Sequence, residues 1–189
     1  MNSVAITQLK TGFKTVCIVA AALPMFAMAT VQTITEAEVK QAQQAWGKAL
    51  ISISDAYKKG GQEKATQTAK AVLDQAYAYA QGPVLFKPTL TSGEQTFRTT
   101  YDGALAYFVG GNPAFSQDKG FALKGWKGYD FKNAAVHING DMAITMGNVM
   151  LTGQDGSVTT VDKTWGFKKS SDGSIRIVLH HSSLPYSAN

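Results

Sequence analysis

Apolar and polar positions follow one period in the first part of the chain and another in the second. Thr35-Glu36-Ala37-Glu38 has the arrangement of a capping box, and Val39, Ala42, Trp46, Leu50, Ile53 and Tyr57 then recur at helical spacing. That pattern predicts an amphipathic helix over about 36–58. Gly60-Gly61 stops it. Ala65, Ala69, Val72, Leu73, Ala76 and Tyr77 then share one face of a second helix over about 62–80, joined to the first by a short glycine turn. After Gly82-Pro83, the stretch Val84 to Leu90 reads as a short strand that Pro88 confines to a sheet edge or a bulge, since proline donates no ladder hydrogen bond. A shorter helix is predicted over 97–108, with Tyr101, Leu105 and Phe108 on one face and Gly110-Gly111-Asn112-Pro113 as its stop.

From about residue 120 the period becomes two. The runs Phe121 to His137, Met142 to Leu151, Val158 to Lys168 and Ser174 to Ser183 are separated by Asn139-Gly140, Asp155-Gly156 and Asp172-Gly173. These are the marks of antiparallel strands joined by hairpins. Helices first and an antiparallel meander last give an α+β fold, with the helices packed on one face of a curved sheet.

The segment before the first helix has a separate logic. Lys10 and Lys14 precede an apolar run from Val16 to Ala27 that ends in Ala27-Met28-Ala29, which reads as a signal peptide over 1–29, cleaved to leave one domain over 30–189. The run is short for a membrane-spanning helix and Pro24 interrupts it. The expected location is therefore periplasmic or secreted, with no membrane association after cleavage. Loss of this leader removes two Lys and no acid, leaving 16 basic against 13 acidic side chains, a net charge of +3, with no basic run to serve nucleic acid. It also removes Cys17, the sole cysteine, so the mature chain has neither disulfide nor thiolate chemistry.

The remaining inventory narrows the chemistry. Three histidines are present, His137, His180 and His181. Adjacent strand residues face opposite ways, so His180 and His181 cannot readily share a zinc ion. Asp141, Asp155 and Asp172 sit beside turn glycines and read as turn formers. No G-x-S-x-G elbow or phosphate loop occurs. Along the last strand, period two puts Ile175, Ile177 and Leu179 on one face and Arg176, Val178, His180 and Ser182 on the other. That mixed face either lines a cavity beneath the helices or meets solvent, and the pattern alone leaves both open.

Four stretches, in order and spacing, carry a family resemblance: Val84-Leu85-Phe86-Lys87-Pro88-Thr89, Gly103 to Gly111 (GALAYFVGG), Asp118-Lys119-Gly120-Phe121-Ala122 and, most specific, His180 to Tyr186 (HHSSLPY). They resemble the iota class of carbonic anhydrases over about residues 36–186. The resemblance implies a cone-shaped NTF2-like (SnoaL-like) fold enclosing a cavity, and the reversible hydration of CO2 to bicarbonate. It implies catalysis without a bound metal, although manganese or zinc dependence stays open, and a homodimer formed through the sheet. Carried over residue by residue, the bicarbonate site is Thr89, Tyr107, His180 and Ser182. Ala106 departs from the Ser expected before Tyr107. Phe86, Leu85 and Phe108 are expected as the apolar wall against CO2. His180, ordinarily near pKa 6.5, is expected to orient a water and take its proton; the alternative is an ionised Tyr107, which needs a large fall from about 10. Two rival readings are a non-catalytic NTF2-like ligand-binding or association domain, and a proton-transfer isomerase using Asp102 or Asp162 as its base.

Overall fold

The structure, a computed structural model, describes residues 32–187, so the expected leader lies outside the described residues. Helix α1 (Glu36–Ala76) opens on the capping box: the Thr35 side chain accepts from the Glu38 amide, and the Glu38 carboxylate accepts from the Thr35 amide at 2.9 Å. It is broken where expected, at Gly60-Gly61. Gly61 takes φ 65° and ψ −158°, a region open to glycine and closed to other residues, so the second part leaves at a new angle. Val39, Trp46, Leu50, Ile53, Ala65, Ala69 and Leu73 are all buried. Burial of each large one stabilises the fold by about 1.5–3 kcal/mol.

The helix ends at Ala76, four residues before the predicted limit. Tyr77 has extended backbone angles, donates a helical bond from its N–H to the Leu73 carbonyl, and forms an isolated parallel bridge with Ile177 of the sheet. Its side chain is thereby turned from a helix face into the core.

Strand β1 (Leu85–Lys87) is shorter than expected and occupies a sheet edge, as Pro88 requires. Helix α2 (Tyr101–Val109) is capped by Thr100, whose side chain accepts from the Gly103 amide at 3.2 Å. The run expected as a strand from Phe121 begins instead as a short 3-10 turn, Phe121–Lys124, flanked by Gly120 and Gly125 at positive φ. Strands β2 (Gly128–Asn139), β3 (Met142–Thr152), β4 (Val158–Lys169) and β5 (Ile175–Ser183) follow. The sheet order is β1-β5-β4-β3-β2, antiparallel except for β1, which pairs parallel with β5.

One irregularity decides which side chains enter the core. Gly166 pairs with Leu179 but Phe167 pairs with Ile177, so Val178 is a bulge residue and the alternation of β5 changes phase there. Ile177, His180 and Ser182 are therefore all buried on the inner side. The uninterrupted alternation expected for this strand is corrected accordingly. Arg176 does not join His180; it donates to the Asp74 and Gln75 carbonyls at the end of α1.

Candidate active site

The inner face of the sheet beneath α1 and α2 carries a cluster in which polar and aromatic groups alternate. Thr89, just past β1, is held against β5 by a 2.7 Å hydrogen bond between its hydroxyl and that of Ser182. Lys87 reinforces the junction by donating to the Ser182 carbonyl at 3.0 Å. Phe86 and His180 are register partners across the β1–β5 pair, with ring centroids 4.4 Å apart. Tyr107 from α2 meets the other side of Phe86 edge to face, at 5.7 Å. Its hydroxyl is buried and no group completes a hydrogen bond to it, although the Thr89 side chain and the Thr89 and Leu90 backbone are the polar groups it faces. Thr89, Tyr107, His180 and Ser182 are thus brought around one aromatic ring.

The expected apolar wall is only partly present. Phe86 and Phe108 stack at 5.8 Å and are buried. Leu85 points to the other face of β1 and is 60% exposed, so it is not brought to the cluster; adjacent strand residues face opposite ways. Tyr107 also lines a cleft of about 140 Å³ with Leu90, Gln117, Lys119 and Phe121.

His180 is 2% exposed and both of its ring nitrogens are engaged. Nδ1 lies 2.8 Å from the Tyr77 hydroxyl, and Nε2 lies 2.6 Å from Nζ of Lys163. Tyr77 in turn accepts from Nε1 of Trp46 at 2.9 Å. Lys163 is itself 4% exposed, sits 4.7 Å from the Trp46 ring and 5.2 Å from that of Trp165, and forms no ion pair with any Asp or Glu among the described residues.

The donor inventory assigns protons along this chain. A tyrosine hydroxyl has one hydrogen to give, and with Trp46 already donating to it, that hydrogen goes to Nδ1 of His180, its other hydrogen-bond partner. Neutral His180 then carries its proton on Nε2, which donates to Lys163, and only an uncharged amine has a lone pair to accept it. The opposite arrangement, with an ammonium donating to Nε2, would leave the buried Tyr77 hydrogen without an acceptor at a cost of about 1–3 kcal/mol. Electrostatics agrees: burial holds Lys163 well below its ordinary value of 10.5. Burial, the largest cause, holds His180 well below 6.5. Burial pushes the Tyr107 phenol up from 10, away from the ionised form.

Lys163, Tyr77 and Trp46 were not among the residues expected at the site. The signal for Lys163 was its place in the alternation Val161-Lys163-Trp165-Phe167, where inward positions are otherwise apolar. The rival isomerase base has no counterpart: Asp102 is exposed in the first turn of α2, and Asp162 is exposed on the outer face of β4, accepting from Asn148 at 2.9 Å. His137 is exposed on β2 and His181 is exposed on the outer face of β5, so the three histidines do not converge.

Comparison with known proteins shows which family the chain resembles. The family model described as metal-independent carbonic anhydrase matches residues 37–184. A metal-independent carbonic anhydrase from Nostoc sp. is 56% identical over 155 residues, covering 82% of this chain and 76% of that protein. The crystal structure of a cyanobacterial iota-carbonic anhydrase complexed with bicarbonate superposes with a TM-score of 0.81 at 56% identity, covering 82% of this chain and 95% of that one. An NTF2-like protein from Pseudomonas putida, at 15% identity and a TM-score of 0.50 over 82% of this chain and 89% of its own, shares the fold alone.

Proposed function

The chain belongs to the metal-independent carbonic anhydrases, and within that activity we propose that the cluster of Thr89, Tyr107, His180 and Ser182 is where CO2 and bicarbonate are bound. The protein is a lyase of the iota type, interconverting CO2 and bicarbonate without a resident metal. The observation that supports the assignment is the Thr89–Ser182 hydroxyl pair, closed at 2.7 Å beside a buried Tyr107 hydroxyl that has no hydrogen-bond partner among the described residues.

CO2 is neutral and apolar, so the faces of Phe86 and Phe108 suit it, while Leu85 is outside the proposal. As water attacks, negative charge grows on oxygen. Hydroxyls already aimed at that oxygen stabilise the charge without reorganising. The NTF2-like association or binding role has no observation in its favour here.

Stopped-flow CO2 hydration on chelator-treated protein, with metal content measured, tests the reading. Hydration above buffer is expected; its absence would overturn the site along with the activity. Ser182→Ala and Tyr107→Phe should each lower kcat by about 10-fold to 100-fold, the usual range for groups that stabilise developing charge lying at or above this. Full activity in both variants would remove these residues from the site.

Two further expectations belong to this proposal. A homodimer through the sheet is supported by Ile144 and Met146, which expose 46% and 62% of their surface on the outer face of β3. Light scattering on the purified protein should give twice the chain mass. Export with cleavage after Ala29 is supported by the apolar run and small residues of the leader; N-terminal sequencing of the protein from the producing cell should begin at Thr30.

A further inference from the structure

An enzyme that turns a neutral molecule into an anion handles two ligands of different charge, and the cleft beside Tyr107 distinguishes them. Its volume of about 140 Å³ is well above the roughly 10–15 Å³ that one water needs, so there is room for a small anion. Its buried wall is made by Tyr107, 5% exposed, and Phe121, 7% exposed, whose rings stack at 5.4 Å. Leu90, Lys119 and Lys124 form an exposed rim. Tyr107 therefore belongs both to the cluster around Phe86 and to the wall of this cleft.

The charges at the rim are of one sign. Among the described residues neither Lys119 nor Lys124 forms an ion pair. Lys119 donates only to the Ser116 carbonyl, at 3.1 Å, and Lys124 ends the short turn Phe121–Lys124. The acid on the lining, Asp118, is turned to Arg98, whose Nη2 lies 3.2 Å from both carboxylate oxygens. That pair balances the Asp118 charge and fixes the backbone from which the next residue, Lys119, projects at the rim. Both ammonium groups are left in excess. CO2 carries no net charge and is indifferent to them, whereas an anion is attracted, because low-dielectric walls focus the field of charges collected at a cleft.

We infer that this cleft is the route by which bicarbonate enters and leaves, with Lys119 and Lys124 as the groups that recognise its charge. The inference rests on the site assigned above and names how its charged ligand reaches it. In hydration the lysines draw the product outward from Tyr107; in dehydration they gather bicarbonate from solvent. Neither lysine makes or breaks a bond. Leu90 and Phe121 give the same cleft apolar faces along which CO2 passes without help from the charges.

The test is stopped-flow CO2 hydration by the full-length protein with bicarbonate added as product inhibitor at constant ionic strength. The equilibrium fixes the ratio of kcat/KM in the two directions, so the effect is read in the inhibition constant of bicarbonate. In the double variant Lys119→Gln, Lys124→Gln that constant should rise about tenfold, the low end of what focused charge does to local ion concentration, with a smaller change in kcat/KM for CO2. Lys119→Glu with Lys124→Glu should raise it further, and Lys119→Arg with Lys124→Arg should keep the wild-type value, since the charge stays. Salt tests the wild-type protein directly. Going from about 0.1 M to 1 M ionic strength shortens the screening length from about 10 Å to about 3 Å, so the wild-type constant should climb toward that of the Gln variant, which should hardly respond. An unchanged constant in the Gln and Glu variants would overturn the inference, as would a rise in the Arg variant equal to that in the Gln variant. Failure of the site assignment is a separate result: full activity in Tyr107→Phe and Ser182→Ala, which removes the reason for bicarbonate to use this cleft.

Discussion

Two basic side chains are buried to the same degree in this protein, Arg98 at 3% exposure and Lys163 at 4%, and the fold treats them in opposite ways. Arg98 reaches both carboxylate oxygens of Asp118 at 3.2 Å and lies over the Phe115 ring at 4.7 Å. Among the described residues Lys163 has no acid beside it, only an imidazole and two indoles. The difference follows from the two side chains. A guanidinium cannot shed its proton in a protein, so burying it demands a counter-charge. A lysine can avoid the desolvation cost by becoming neutral, and a neutral amine is a nucleophile and a base. One charge is kept because it is fixed and paired; the other is given up because burial leaves it nothing to pair with.

The contrast breaks most visibly at Asp118. Asp118→Ala would leave Arg98 buried and unpaired, and urea unfolding should show a loss of about 3–5 kcal/mol. Lys163→Met, at equal burial, loses no charge pair and should cost less, about 1–3 kcal/mol for the His180 N–H left without its acceptor. If both variants lose several kcal/mol, Lys163 is not neutral in the fold.

The pH dependence of stability sharpens the same point. Lys163 is held well below 10.5 in the folded protein by burial, so near neutral pH the unfolded chain binds more protons. Stability should therefore rise with pH in the window between the folded value and 10.5, by up to about 1.4 kcal/mol per unit. Denaturation of Lys163→Met over the same range should lack that rise. His180, also lowered, adds a gain of the same sign, confined below 6.5.

Tyr77→Phe is expected to be milder. It removes the hydroxyl between Trp46 and His180 and should cost about 1–2 kcal/mol of stability by urea titration. The same variant frees the His180 tautomer, so a fall of about tenfold in kcat is expected by stopped-flow CO2 hydration. The smallest change belongs to the surface. Glu38 is lowered mainly by its hydrogen bond to Lys169, and this contribution, present above about pH 4.5, is lost as pH falls through the folded value. Glu38→Gln should remove that acid-side dependence and leave kcat alone, as measured by thermal melts and by CO2 hydration.

Much of this architecture was legible from patterns. The capping box, the break at Gly60-Gly61, the edge position enforced by Pro88 and the strand period after residue 128 all depend on interactions within a few residues. Boundaries moved where distant contacts intervened. Tyr77 reads as a helix-face residue, yet its pairing with Ile177 draws it out of α1. Phe121 reads as the start of a strand, yet Gly120 and Gly125 hold a tight turn there. The four hydroxyl and imidazole positions named by the family motifs do gather around Phe86, whereas Leu85 lies on the other face of β1, because a motif does not reveal which way a strand residue points.

By itself, the sequence determined the element order, the family, and an inventory with one cysteine, Cys17, and three histidines that local spacing does not bring together, because these depend on composition and local spacing. Only the tertiary structure decided what His180 can do. A bulge at Val178 turns it inward, Tyr77 and Lys163 arrive from opposite sides to occupy its two nitrogens, and the absence of a nearby carboxylate leaves Lys163 uncharged. Protonation depends on solvent and neighbouring charge, and both are set by packing between residues far apart in the chain.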